Sequence, residues 1–111
     1  MLTFCGFDFE LMVDRVLRRN DTGAAAFGAH DGAGSRWLIL EWARPVDADL
    51  AWICAPATDR MLDLIAEGRA DADDVVRHSA TGWVEVVRVV RGRAVPDRRL
   101  PCTDLVSRST G

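Results

Sequence analysis

The chain has 111 residues and a formal net charge of −3 at neutral pH. Hydrophobic residues make up 49% of it, which is enough for a core that needs neither a metal nor a disulfide. The acidic balance excludes a globally basic nucleic-acid-binding protein and leaves only a local basic patch open. The length is that of one domain, so we expect residues 1–111 to form a single domain with a frayed tail at 105–111.

The composition also predicts where the protein works. Lysine and tyrosine are absent, and their AT-rich codons make this pattern typical of a bacterial GC-rich genome. The opening MLTFCGFDFELM has no basic start and soon reaches Asp8 and Glu10, so we predict no signal peptide. Cys5, Cys54 and Cys102 have no C-x-x-C spacing and are expected to be reduced apolar groups. We therefore expect a cytoplasmic protein without a membrane span.

The first element is ambiguous. The apolar residues of segment 9–19 fit a helical stripe that starts at an Asp8 N-cap, and they fit an extended strand equally well. The sequence NDTG at 20–23 is a strong turn former and favours a hairpin into a strand over 24–30. Whether 9–19 is helix or strand stays open at this point.

Three further strands are predicted. A glycine-rich turn, Asp31–Ser35, leads into the Trp-, Leu- and Ile-rich segment Arg36–Ala43 (RWLILEWA). A short apolar strand is expected at Leu50–Ala55, where Pro56 stops it. Trp83–Val90 (WVEVVRVV) is the clearest strand, because most of its positions are β-branched.

Two helices are predicted before this last strand. Thr58 is a favourable N-cap for the first, and Gly68 is placed to end it. Its apolar face is expected to consist of Met61, Leu62, Leu64 and Ile65. A second, short helix is expected over Ala72–His78 with Asp71 as its N-cap.

These elements predict an α+β fold: an antiparallel sheet of about four to five strands, with one main helix and a short second helix packed on one face. The strand WLILEWA, the Thr-capped helix TDRMLDLIAEG and the short helix DADDVVRH before a strand resemble a small bacterial family of unknown function. The resemblance covers Val16–Leu105 and implies a β-hairpin in the N-terminal half. It implies no catalytic residue.

No catalytic, cofactor-binding or metal-binding residue is predicted. The sequence HDGAGS lacks the helix that a phosphate-binding loop requires, and a Ser-His-Asp triad is not built from one short turn. We therefore expect this sequence to be a hairpin turn. His30, His78 and the cysteines lack metal-ligand spacing. Asp71, Asp73 and Asp74 lack the glycine and distal glutamate of a calcium loop, and they suit a helix N-terminus.

Two features point to a partner surface. Leu38, Leu40 and Trp42 share one face of their strand while Trp37 and Ile39 share the other, and WVEVVRVV is divided in the same way. One helix layer covers only one face, so the second face is expected to meet either a terminus of the chain or a partner. The predicted partner-binding residues are Trp37, Ile39, Trp83, Val87, Val89, Arg91, Arg98 and Arg99.

The second feature is charge asymmetry, because residues 47–74 are strongly acidic and residues 75–111 are rich in arginine. The leading interpretation is a non-catalytic interaction or regulatory domain that acts through a protein surface, with homodimerisation as one form of that interaction. One alternative is a small-molecule-binding protein or small enzyme with a pocket between sheet and helix. A second alternative is nucleic-acid contact through Arg88–Arg99, which lacks interleaved aromatic residues.

Overall fold

The computed structural model describes residues 3–5, 9–18, 25–42 and 51–104. The strands are β1 (Thr3–Cys5), β2 (Glu10–Arg18), β3 (Ala26–His30), β4 (Arg36–Trp42), β5 (Ala51–Pro56), β6 (Trp83–Val90) and β7 (Arg93–Pro101), and the helices are α1 (Asp59–Ala66) and α2 (Ala72–Arg77). Each strand pairs antiparallel with its neighbours in chain order. Because β1 also contacts β7, the sheet forms a nearly closed barrel.

This architecture shows that the predicted α+β fold with four to five strands is wrong. The described residues contain seven strands, and sheet dominates over helix. The ambiguous segment 9–19 is strand β2 over its described part. The prediction missed β1, which has only three residues, and β7, whose prolines Pro96 and Pro101 are typical of turns.

The outer face of the sheet, which we define as the face covered by α1 and α2, is packed with aliphatic side chains. Leu38, Val86 and Leu62 are fully buried here, in one cluster that spans β4, β6 and α1. The predicted N-caps are confirmed: Thr58 Oγ1 accepts from the Met61 amide at 3.2 Å, and Asp71 Oδ1 accepts from the Asp73 amide at 2.9 Å. The outer face is therefore the structural core that the periodicity predicted.

The inner face, on the opposite side of the same strands, carries a second buried cluster. It contains Ile39, Trp52, Cys54 and Val87 from the central strands, and Phe4 of β1 with Leu11 of β2 cover them. Since the sheet curls until its first strand meets its last, the chain buries this face itself. Burial of the inner face from solvent therefore requires no partner protein.

Ion pairs tie α1 to the strands beside it. Arg36 Nη1 lies 2.6 Å from Asp14 Oδ2, and Arg36 Nε lies 3.0 Å from Asp59 Oδ1 at the start of α1. Arg15 Nη1 lies 2.7 Å from Asp63 Oδ1. The hydrogen bond from Arg36, with a smaller contribution from His30, holds the pKa of Asp14 below its ordinary value. Such exposed pairs contribute only ~0.2–1 kcal/mol each to stability.

Some sequence predictions fall outside the described residues. They are the alternative Asp8 N-cap, the turn at 20–23 and the frayed tail at 105–111. Among the described residues, neither of the helices α1 and α2 is long and apolar enough to span a membrane.

Candidate functional site

The HDGAGS sequence forms the predicted turn between β3 and β4. Asp31 organises it: its Oδ1 accepts from the amides of Ala33 and Ser35 at 2.9 Å each, and Gly34 takes the positive φ of 87° that the turn requires. His30 instead bonds Asp14, with 2.9 Å between Nδ1 and Oδ2. The structure therefore does not assemble His30, Asp31 and Ser35 into a triad.

The same aspartate fixes a tryptophan on the inner face. Asp31 Oδ2 accepts from Trp37 Nε1 at 3.2 Å, and this hydrogen bond is the main reason that the pKa of Asp31 lies below its ordinary value. Phe9 also packs against this indole, with 4.4 Å between ring centroids. Two contacts, one polar and one aromatic, therefore hold the Trp37 side chain near the start of β4.

Trp37 lines a cavity of about 460 Å³ at one end of the barrel. Trp37 is the second residue of β4 and pairs with Pro56 at the end of β5, while Trp83 begins β6 and pairs with Pro101 at the end of β7. These four side chains form an aromatic and proline row at the rim. Just before β6, Thr81 Oγ1 accepts a hydrogen bond from the Trp83 amide and donates one to the Trp83 carbonyl. The volume lies within the ~300–1,000 Å³ of ordinary ligand pockets, and barrel mouths are common places for them.

The next row along the strands, which we call the polar row, carries the two charged groups of the described cavity lining. Register pairs Ile39 with Cys54, Cys54 with Glu85, and Glu85 with Arg99, and the last three line the cavity. Glu85 Oε1 lies 2.7 Å from Arg99 Nε. The Glu85 side chain is only 11% exposed, whereas that of Arg99 is 46% exposed. The cavity therefore carries a buried carboxylate whose cationic partner extends toward solvent.

A third row closes the barrel interior behind these polar groups. Trp52 pairs with Val87, and both are buried. Phe4 meets Trp52 edge-on with centroids 5.7 Å apart, and Phe27 lies 5.5 Å from the same ring. This aromatic packing is closed, so the cavity is confined to the rim and the polar row.

The thiol of Cys54 is not built for nucleophilic catalysis. Burial raises its pKa strongly, and the negative charge of Glu85 raises it further. A nucleophilic cysteine needs a lowered pKa, usually from a nearby cation or helix N-terminus. At neutral pH Cys54 therefore contributes a protonated, apolar surface to the cavity.

The structure places the apolar members of the predicted partner-binding set in two environments. Ile39 and Val87 are fully buried on the inner face, and Val89 packs beside them, so the reason for expecting a partner there does not apply. Trp37 and Trp83 line the cavity, and Trp83 is 51% exposed. The tryptophans are therefore the apolar members of the predicted set that can reach a ligand.

The arginines of the predicted set are divided as well. Arg98 pairs with Asp97 at 3.0 Å, and Arg99 lies within the cavity beside Glu85. Arg91 lies at the tip of the β6–β7 hairpin, where Arg91 and Gly92 have φ values of 53° and 78°. That geometry is a two-residue type I′ turn. Nucleic-acid contact through Arg88–Arg99 stays a prediction, with two of its arginines paired to acids of the same strands.

Sequence reasoning missed Cys54 and Glu85 as site residues. Alternation along WVEVVRVV places Glu85 on the same face as Trp83 and Val87. A lone charged residue on an otherwise apolar strand face is the signal that could have identified it, because such groups are rarely buried without a role. Cys54 offered no comparable signal.

The histidine and the capping aspartate of α2 have structural partners. His78 Nδ1 lies 2.9 Å from the Asp74 carbonyl at the end of α2, and Asp71 caps that helix. Among the described residues, no group of three or more His, Cys, Asp or Glu side chains could hold a metal ion. The described cavity around Glu85 lies on the face opposite the helices, and the pocket expected between sheet and helix stays a prediction.

In comparisons with known proteins, no family model, no curated protein and no solved structure matches this chain.

Proposed function

We propose that this protein binds a small organic molecule in the cavity at the barrel mouth. The observation that carries the proposal is the composition of the cavity: two tryptophans at the rim enclose a buried carboxylate. Ligand sites typically combine a mainly apolar lining with a few positioned polar groups.

The preorganised position of the Trp37 side chain supports the proposal. Its hydrogen bond to Asp31 and its packing against Phe9 fix the indole before any ligand arrives. Preorganised side chains lose less conformational entropy on binding, so a fixed aromatic surface favours affinity. A turn whose aspartate serves both the backbone and this indole gives the HDGAGS sequence a positioning role.

We also propose a binding rather than a catalytic role, acting in the cytoplasm. The raised pKa of Cys54 gives the cavity no reactive thiolate. Cys5, Cys54 and Cys102 are all free, which suits a reducing compartment.

Nuclear magnetic resonance of the indole N–H groups tests the proposal directly. The chain has four tryptophans, so their indole signals can be assigned by single substitutions. A panel of naphthalene- and indole-sized molecules is titrated into the labelled protein. Ligands in the cavity should shift the signals of Trp37 and Trp83, while Trp42, which packs against the outer-face cluster, should not move.

Two variants make the test specific. Trp83→Ala removes part of the rim and should weaken binding, whereas Met12→Ala removes another exposed apolar side chain outside the cavity and should not. If no molecule of the panel shifts Trp37 or Trp83, or if Trp42 shifts equally, the proposed function is wrong.

A further inference from the structure

The cavity also indicates which charge its ligand carries. Resting on the proposed function, we infer that the ligand is an organic cation: a flat apolar body bearing a protonated amine, whose ammonium group binds at Glu85 while its body lies against Trp37 and Trp83.

The first argument is the unequal exposure of the two charges in the cavity. The Glu85 carboxylate is about nine-tenths buried, whereas nearly half of the Arg99 side chain reaches solvent. Water screens an exposed charge far more than a buried one. Although the pair is formally neutral, the carboxylate is therefore the less screened of its two charges.

The second argument is the arrangement of the rim. Trp83 and Glu85 lie two residues apart on one face of β6, a distance of roughly 7 Å along a strand. Trp37 lies across β5 from them, on the same inner face. The faces of indole rings carry negative potential and attract ammonium groups within about 6 Å of the ring centroid. A cation at Glu85 therefore meets a carboxylate and lies close to the tryptophans.

The third argument concerns the neighbouring groups. Among the described residues, the cavity lining besides Glu85 and Arg99 consists of tryptophan, proline, threonine and cysteine side chains, none of which adds positive charge. The charge of Glu85 contributes to the raised pKa of Cys54, so its negative field acts on a neighbouring lining group. An anionic ligand would have to bind Arg99 against this field.

Three ligands that share one ring system separate the charge of the ligand from binding itself. They are 2-(2-naphthyl)ethylamine, which is cationic, 2-naphthylacetamide, which is neutral, and 2-naphthylacetate, which is anionic. Calorimetric titration of the wild-type protein at neutral pH should rank the amine first, roughly tenfold tighter than the amide, as expected for one charge-assisted hydrogen bond. The acetate should bind most weakly.

Glu85→Gln then tests the residue. It should remove the preference for the amine over the amide, because the carboxylate is lost while the charge of Arg99 stays. The matched control is Glu67→Gln at the exposed end of α1, which should keep the preference for the amine. If Glu85→Gln does not fold, the ranking of the three ligands on the wild-type protein decides the inference by itself.

The outcomes separate the two proposals. Binding of all three ligands with equal affinity, or with the acetate tightest, would overturn the cation inference and leave the proposed function standing. Binding of none of them would overturn both. A preference for the amine that persists in Glu85→Gln would contradict the assignment to this carboxylate.

Discussion

The two faces of strands β4, β5 and β6 are built from different residues. The outer face presents aliphatic side chains such as Leu38, Ile53 and Val86 to two helices, in close packing. The inner face presents Trp37, Cys54, Trp83 and Glu85 at the barrel mouth, around a cavity of about 460 Å³. Alternation along each strand keeps the two sets apart. The outer face is therefore a packed core, whereas the inner face combines a buried cluster with the proposed binding site.

The ion pairs follow the same division. Those on the outer face, including Arg15 with Asp63, lie at the exposed margin of α1 and fix its position. The pair on the inner face, Glu85 with Arg99, lines the cavity. A buried carboxylate costs desolvation energy, so stability alone is a weak reason for its presence. This difference supports a binding role for the inner pair.

The largest effect should come from breaking the outer face. Leu62 is fully buried against the sheet, so Leu62→Ala should lower the free energy of unfolding by ~2–5 kcal/mol through lost burial and the remaining cavity. Denaturant melts measure it. Leu64→Ala on the same helix is the control, because Leu64 is only partly buried. Equal, small losses for both variants would show that α1 is not packed as described.

At the rim of the cavity, a substitution should reduce ligand affinity more than it reduces stability. Because Trp83 is 51% exposed, Trp83→Ala should cost only ~1–2 kcal/mol of stability, yet it should weaken naphthyl ligand binding at least tenfold. Calorimetry and melts on the same preparation separate the two effects. Val90→Ala, at the exposed far end of the same strand, should change neither strongly. Unchanged ligand affinity in Trp83→Ala would contradict the role of the rim.

A smaller loss is expected at the first turn of α1. Thr58→Ala removes the oxygen that accepts from the Met61 amide and should destabilise the protein by ~1 kcal/mol, without changing ligand affinity. Thr58→Ser keeps a capping hydroxyl and should behave nearly as wild type. A loss of ligand affinity in Thr58→Ala would show that the two faces are coupled.

The smallest effect should be a local pH dependence at Asp31. Its pKa is lowered in the folded state, so its contribution to stability is present above the ordinary value of 3.8 and is lost as the pH falls through the folded value. The indole N–H signal of Trp37 should follow this transition in acid. Asp31→Asn should remove the transition, and its persistence in that variant would assign it to another group.

The sequence predicted the outer face well and the barrel poorly, for identifiable reasons. Caps at Thr58 and Asp71 and a regular apolar period define α1 and α2 locally. In β2, the register shifts beside Asp14 and Leu17, so Leu11 packs on the inner face and Leu17 on the outer face. Each bulge interrupts the two-residue alternation of apolar side chains, so the spacing of the apolar residues along β2 also fits a helix.

Strand β7 and the cavity depend on long-range pairing. RAVPDRRLP contains two prolines and four charges, which locally indicate a loop. The Arg91–Gly92 turn and the pairing with β6, including its shift beside Asp97, make it a strand. Only this pairing brings Arg99 to Glu85, so the polar row could not be predicted from either segment alone.

Intermolecular nuclear Overhauser effects in a complex with 2-(2-naphthyl)ethylamine test the central claim most directly. They measure which protons of the protein lie within a few ångströms of the naphthyl ring. We predict contacts with the indole protons of Trp37 and Trp83 and none with α1 or α2, since the helices cover the opposite face. Contacts with the helices instead, or a ring bound outside the rim tryptophans, would contradict the division of the sheet into a structural face and a binding face.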